Sequence, residues 1–133
     1  MTLHLRVGFG KPPWSLAEGF EWLDRVGASN LKLAVCTALL DQNPPAAEVG
    51  ARLKDKLGLW LVAASNNDVA GKIWDAHGPI SGARSPDALG RLLALSPDAP
   101  VLLDALYANQ DEEYLDAVAL DKALGRTAAG VIR

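Results

Sequence analysis

The sequence predicts an α/β fold, built from four consecutive β/α units that carry one parallel sheet. Two observations predict it. Short, continuously apolar runs alternate four times with helix-like segments whose starts and stops can be named. The runs after Leu3–Val7 also lack polar alternation, which is the signature of parallel strands covered by crossover helices. The unit of about 30 residues recurs as architecture, without close repetition of sequence. At 133 residues the chain fits one domain, drawn here over residues 1–125, and can hide about two thirds of its unfolded surface.

The first unit pairs Leu3 to Val7 with a helix from Ser15 to Val26. Ser15 and Glu18 form a Ser-x-x-Glu capping box, Gly27 falls on the C-cap side, and Leu16, Phe20 and Leu23 make the buried stripe. The second pairs Leu31 to Leu40 with a helix opened by Asn43-Pro44-Pro45 and closed by Gly58, with Val49, Leu53 and Leu57 on one face. The third begins at Leu57 to Ala64, crosses a long polar stretch, and reaches a helix capped by Ser85 with Pro86 at its first position and Leu89, Leu92 and Leu93 facing inward. The fourth pairs Ala99 to Tyr107 with a helix from Asp111 to Leu124, whose Asp111, Glu112 and Glu113 complement the positive end of the helix dipole. Gly125 ends that helix, and the tail 126–133 is expected to fray.

Composition narrows the function classes. A chain that is 50% hydrophobic and 22% charged is neither disordered nor membrane-spanning. Its net charge of −3, spread without a basic stripe, excludes a nucleic-acid partner. Cys36 is the only cysteine and forms no intrachain disulfide. The start MTLHLRVGFGK shows no long apolar core or cleavage site, so a reducing cytoplasm is the expected compartment. A full eight-unit barrel needs about 250 residues. The chain is therefore either an independent four-stranded α/β domain or half of a (β/α)8 barrel.

Two stretches carry a family resemblance. PPWSLAEGFEWLDRVGASNLKLAV and SNNDVAGKIWDAHGPISG resemble the C-terminal half of the xylose-isomerase-like superfamily, the sugar phosphate isomerases and epimerases that share their barrel with the family 2 AP endonucleases. The first is similar to the helix after strand five and the start of strand six. The second is similar to a pattern of Ser-Asp-Asn, then Gly, then Asp-x-His, then Pro-x-Gly. The likeness runs from Leu3 to Leu124 and implies a half-barrel of strands five to eight. It also implies a divalent metal, held by carboxylates and histidines at the strand ends, that polarises a sugar carbonyl and hydroxyl.

Residue by residue, that ligand set is only partly present. Val7 stands where the strand-five Glu belongs, and Cys36-Thr37-Ala38-Leu39 replaces an Asp-x-x-His. Ala63-Ala64-Ser65-Asn66 replaces a His-x-x-Asp, while Asp75-x-His77 is intact and Asp104 stands for the strand-eight Glu. The resemblance therefore leaves Asp75, His77 and Asp104 as metal ligands, with Asp104 and His77 as the groups that would move the proton. Asn66 and Trp74 become the substrate contacts. With the other ligands replaced, a Zn, Mn or Mg ion is expected to bind weakly or not at all.

Each of these residues also has a structural reading. Asp75-x-His77 can simply organise a long loop by local hydrogen bonding. His4 is a strand residue pointing outward or into a satisfied niche. Cys36, among apolar neighbours, reads as an inert buried hydrophobe. Asp104 inside VLLDAL is costly to bury unpaired, so it either lies at the strand's exposed end or has a partner. Trp14, Trp22 and Trp60 are expected in packing, and Trp74 beside a ligand.

Two functions follow. The first is a sugar phosphate isomerase/epimerase-like protein with a degenerate metal site, acting on a small sugar-like molecule. The second is a non-catalytic half-barrel scaffold or binding module. Half a barrel leaves two open strand edges that must be paired, covered or blunted, and the expected answer is a homodimer or pairing with a complementary half-barrel chain.

Overall fold

A computed structural model describes residues 1–7, 15–40, 47–64, 79–81, 85–105 and 107–125. The elements follow in the order β1 (Leu3–Val7), α1 (Leu16–Val26), β2 (Leu31–Cys36), a 3₁₀ turn (Thr37–Leu40), α2 (Ala47–Lys56), β3 (Leu57–Val62), α3 (Pro86–Leu93), β4 (Val101–Leu103) and α4 (Gln110–Ala123). The strands form one sheet in the order β1-β2-β3-β4, every neighbouring pair parallel. Among the described residues no helix is long and apolar enough to cross a membrane.

The helix starts are set locally. The Ser15 hydroxyl accepts the Glu18 N–H at 3.2 Å and Gly27 closes α1 in the left-handed conformation. Ser85 Oγ accepts the Ala88 N–H at 3.2 Å, with Pro86 in the first turn. Asn109 caps α4 by accepting the Glu112 N–H at 3.0 Å, and the Glu112 carboxylate accepts the Ala108 N–H at 2.8 Å. The dipole-facing acids thus include one that also acts as a cap.

Sheet order decides where the helices go. Consecutive parallel strands laid side by side, each joined by a right-handed crossover, place every crossover on the same face. The buried stripes agree. Phe20 and Leu23 of α1, Leu53 of α2, Leu89, Leu92 and Leu93 of α3 and Leu120 of α4 join Val7, Leu33, Val35, Trp60 and Val62 in one core. Residues alternating with these on the strands form a separate apolar cluster, Ala34, Cys36, Ala38, Leu61 and Ala63, to which no described helix α1–α4 contributes. The sequence pattern suggested strands covered by helices; among the described residues the helices lie on one side.

The face turned away from α1–α4 is concave, and its side chains Ala34, Cys36, Leu61 and Ala63 are buried. Arg6 on β1 and Asp104 just past β4 meet at 2.6 Å. They belong to opposite edges of the sheet, about 14 Å apart on a flat sheet at ordinary strand spacing. His4 of β1 likewise lies over β3, so that a Cβ on Gly58 would stand 2.7 Å from its Nε2 and 2.7 Å from the Lys32 Cβ. Gly58 is the residue that lets β1 side chains fold across the sheet. Both contacts require the sheet to curl toward this face.

Several element boundaries differ from expectation. The second strand ends at Cys36 rather than Leu40, because Thr37 turns its hydroxyl onto the neighbouring strand end, donating to Ala63 O at 2.8 Å and accepting Ala63 N–H at 3.2 Å. Gly58 does not close α2; that helix ends at Lys56 and the chain passes directly into β3. The last strand spans Val101–Leu103, shorter than Ala99 to Tyr107, and β3 stops at Val62. The proposed opening at Asn43-Pro44-Pro45 and the tail 126–133 lie outside the described residues.

Exposed large apolar side chains are distributed unevenly. Among the described residues they are Met1, Leu3 and Val26 in the first unit and Leu102, Tyr114 and Leu115 in the fourth. The described residues of the second and third units contribute none. Of the exposed side chains, Leu3 and Leu102 lie on the two edge strands β1 and β4.

Candidate functional site

In a parallel sheet with helices on one side, ligands gather at the C-terminal ends of the strands, where chain segments converge. Here those ends are Val7, Cys36, Val62 and Leu103, with Thr37, Ala63 and Asp104 immediately beyond. Val7 and Cys36 are wholly buried. Thr37 is buried as well and is committed to Ala63. Among the described residues, the replacements Val7, Cys36 and Thr37 are thus buried in packing or strand-to-strand bonding.

Asp104 is the one sequence-nominated site residue among those described. Its N–H donates to Val62 O at 2.9 Å, extending the ladder one step past β4. Its carboxylate accepts a hydrogen bond from the Arg6 guanidinium at 2.6 Å, with 27% of its side chain exposed against 44% for Arg6. Both alternatives for Asp104 hold together: it lies at the strand's exposed end and it has a partner. Asn66, Trp74, Asp75 and His77 lie outside the described residues, as does Trp14.

Among the described residues, Val7 and the Cys36 thiol are buried, and the Asp104 carboxylate is held by the Arg6 guanidinium, which offsets its charge. Among the described residues no group of three His, Cys, Asp or Glu side chains converges. What the arrangement offers instead is a concave apolar floor, Ala34, Cys36, Leu61 and Ala63, crossed by one ion pair.

A second polar centre was missed by the sequence reading. Asp116 of α4 is fully buried. Its carboxylate accepts the Ile80 N–H at 2.9 Å, the Ser81 N–H at 2.8 Å and the Tyr107 hydroxyl at 2.9 Å. Three donors satisfy a buried charge that would otherwise be costly. Burial, and then the adjoining Asp116 carboxylate, push the Tyr107 phenol well above its ordinary range. Asp116 thus ties residues Ile80 and Ser81 to α4. The sequence marks this centre only faintly: Asp116, Leu120 and Ala123 share one helical face, but acids stand on every side of the helix.

Trp60 shows the same logic on the core side, buried with its indole N–H donated to Ser96 O at 3.2 Å. Trp22 is half-buried on α1. No protein-family model, curated protein or solved structure matches this chain. The sheet order, the curled face and the two polar centres therefore carry the functional reading.

Proposed function

We propose that this chain is one half of a (β/α)8 barrel of the xylose-isomerase-like kind that works as a homodimer. Its concave face is a groove for a small sugar-like molecule, with the metal site degenerate. The observation that carries this reading is the exposure of Leu3 on β1 and Leu102 on β4, the two edge strands of the sheet among the described residues. An open edge bordered by Leu3 or Leu102 invites another strand, and a two-fold partner supplies one to each edge. The curl of the sheet supports closure rather than a flat extension. In a reducing cytoplasm Cys36 stays a buried thiol.

The scaffold reading is preferred over catalysis because Asp104 is engaged by Arg6, and Val7 and Cys36 at the other described strand ends are buried. The catalytic alternative is a metal-assisted sugar phosphate isomerisation, with Asp75, His77 and Asp104 around the ion. It draws on the position of Asp104 at the end of β4. Light scattering and elemental analysis on the same sample test both. The expected result is a dimer with well under one Zn, Mn or Mg per chain. A monomer sinks the half-barrel dimer, and a stoichiometric metal favours the enzyme.

A further inference from the structure

One row of directly opposed residues crosses the whole sheet: Val7 faces Val35, Val35 faces Trp60, and Trp60 faces Val101. In a closed eight-stranded barrel such a row returns displaced by about 8 residues, the shear of the barrel. Two identical halves each contribute about four residues of that slip. The row leaving Val101 therefore reaches β1 of a second copy about four residues from Val7. In one direction it falls past the end of β1, and in the other it falls on Leu3. Only the second sets strand against strand.

That register can be checked for parity. It opposes Leu3 to Val101, His4 to Leu102, Leu5 to Leu103 and Arg6 to Asp104. Leu5, Val101 and Leu103 all pack toward the helix-covered core, while Arg6 and Asp104 meet on the concave face. Every opposed pair thus shares a face, whereas a slip of one residue would put charges toward the core and leucines into the groove. Charge agrees as well, since a cation of β1 comes to lie directly opposite an anion beyond β4. Leu3 and Leu102, 48% and 52% exposed, both enter the seam.

We propose that two copies close through a pair of identical β1–β4 seams in this register, Arg6 of each copy facing Asp104 of the other. This rests on the half-barrel dimer and specifies its interface. Within one chain the Arg6–Asp104 pair reaches across four strands. In the dimer each group meets its counterpart on the adjacent strand, so the two contacts made within the two chains are exchanged for two made between them.

Charge exchange tests the seam. The Arg6→Asp and Asp104→Arg chains each carry like charges at both positions, within a chain and across a homodimer. Mixed in equal amounts, they set the introduced aspartate opposite the introduced arginine in one seam and the native Arg6 opposite the native Asp104 in the other, although neither chain can form the pair by itself. Native mass spectrometry is expected to show each variant as a monomer at a concentration where the wild type is a dimer, and the mixture as a heterodimer. A wild-type dimer whose variants still dimerise alone, or whose mixture stays monomeric with both chains folded by circular dichroism, overturns the seam and leaves the dimer standing. A wild-type monomer overturns both.

If either charge variant fails to fold, cysteines at an opposed pair decide. Adjacent strands bring opposed Cα atoms within disulfide range, and Cys36 is buried out of reach. The chain carrying His4→Cys with Leu102→Cys is expected to oxidise to a covalent dimer on a non-reducing gel. A chain linked to itself, or no link, overturns the register.

Discussion

The two faces of the sheet are built from alternate residues of the same strands, yet they follow different rules. Toward the helices stand Leu33, Val35, Trp60 and Val62, large side chains sealed by leucines from all four helices. Toward the groove stand Ala34, Cys36 and Ala63, small side chains with Leu61 among them, overlain by His4 and by the Arg6–Asp104 pair. A convex face must fill the wedge between strands and helices, so bulk is favoured there. A concave face brings its side chains together, and only small ones leave room for the β1 side chains to cross. Large side chains therefore fill the helix-facing side of the sheet, and small ones line the concave side.

The largest expected effect separates neighbours in sequence. Trp60→Ala should cost about 3–5 kcal/mol by chemical denaturation, and Leu61→Ala about 2 kcal/mol, because the groove side offers fewer large neighbours to strand around a cavity. Equal costs would break the comparison between faces.

Asp116→Ala comes next, at about 2–3 kcal/mol, since it leaves two amides and a phenol without their acceptor. Hydrogen exchange at Ile80 and Ser81 should accelerate more than at the strand amides. Uniform acceleration would make Asp116 a general stabiliser and not an anchor for Ile80 and Ser81.

On the groove side, Gly58→Ala should cost about 1–2 kcal/mol by crowding His4 and Lys32. His4→Ala in the same chain should recover part of that cost, because the Lys32 Cβ remains in the way. A double-mutant cycle reads the coupling, and strict additivity would show that the ring does not hold its place over β3.

The smallest effect is Tyr107→Phe, about 1 kcal/mol at neutral pH. Its pH signature is sharper. The phenol titrates higher in the folded chain than its ordinary 10.0, so the unfolded chain releases that proton first. The stabilisation is fully present below about pH 10 and is lost as pH rises toward the folded value. Denaturation midpoints measured from pH 8 upward should fall more steeply for the wild type than for Tyr107→Phe.

Two aspartates show how far a linear sequence can be read. Asp104 stood out because an acid inside VLLDAL violates the pattern of a buried strand, and it does lie at a strand end with a partner. That the partner is Arg6, 98 residues away, was invisible, because the pairing depends on the curl of a sheet and not on any spacing. Asp116 was overlooked because it sits in a helix rich in acids, DEEYLDAVALD. Only its place on the buried face distinguishes it from the solvated Asp111 and Glu113. The strand overrun at Leu40 has a similar cause: CTALL is apolar enough to continue, and Thr37 stops it by bonding to a strand that the local sequence cannot see.

Local chemistry settled in advance what local chemistry controls. The four β/α units, the caps at Ser15 and Ser85, the apolar stripes and the parallel character of the sheet all follow from side-chain periodicity and backbone hydrogen bonding within a few residues. Tertiary structure alone decided that the helices share one face, that β1 and β4 are both left as edges, that the sheet curls until Arg6 meets Asp104, and that Asp116 lies buried beneath Ile80 and Ser81. Each of these depends on strand order and twist, which are properties of the assembled sheet. No single strand carries them, so no reading of one strand after another could supply them.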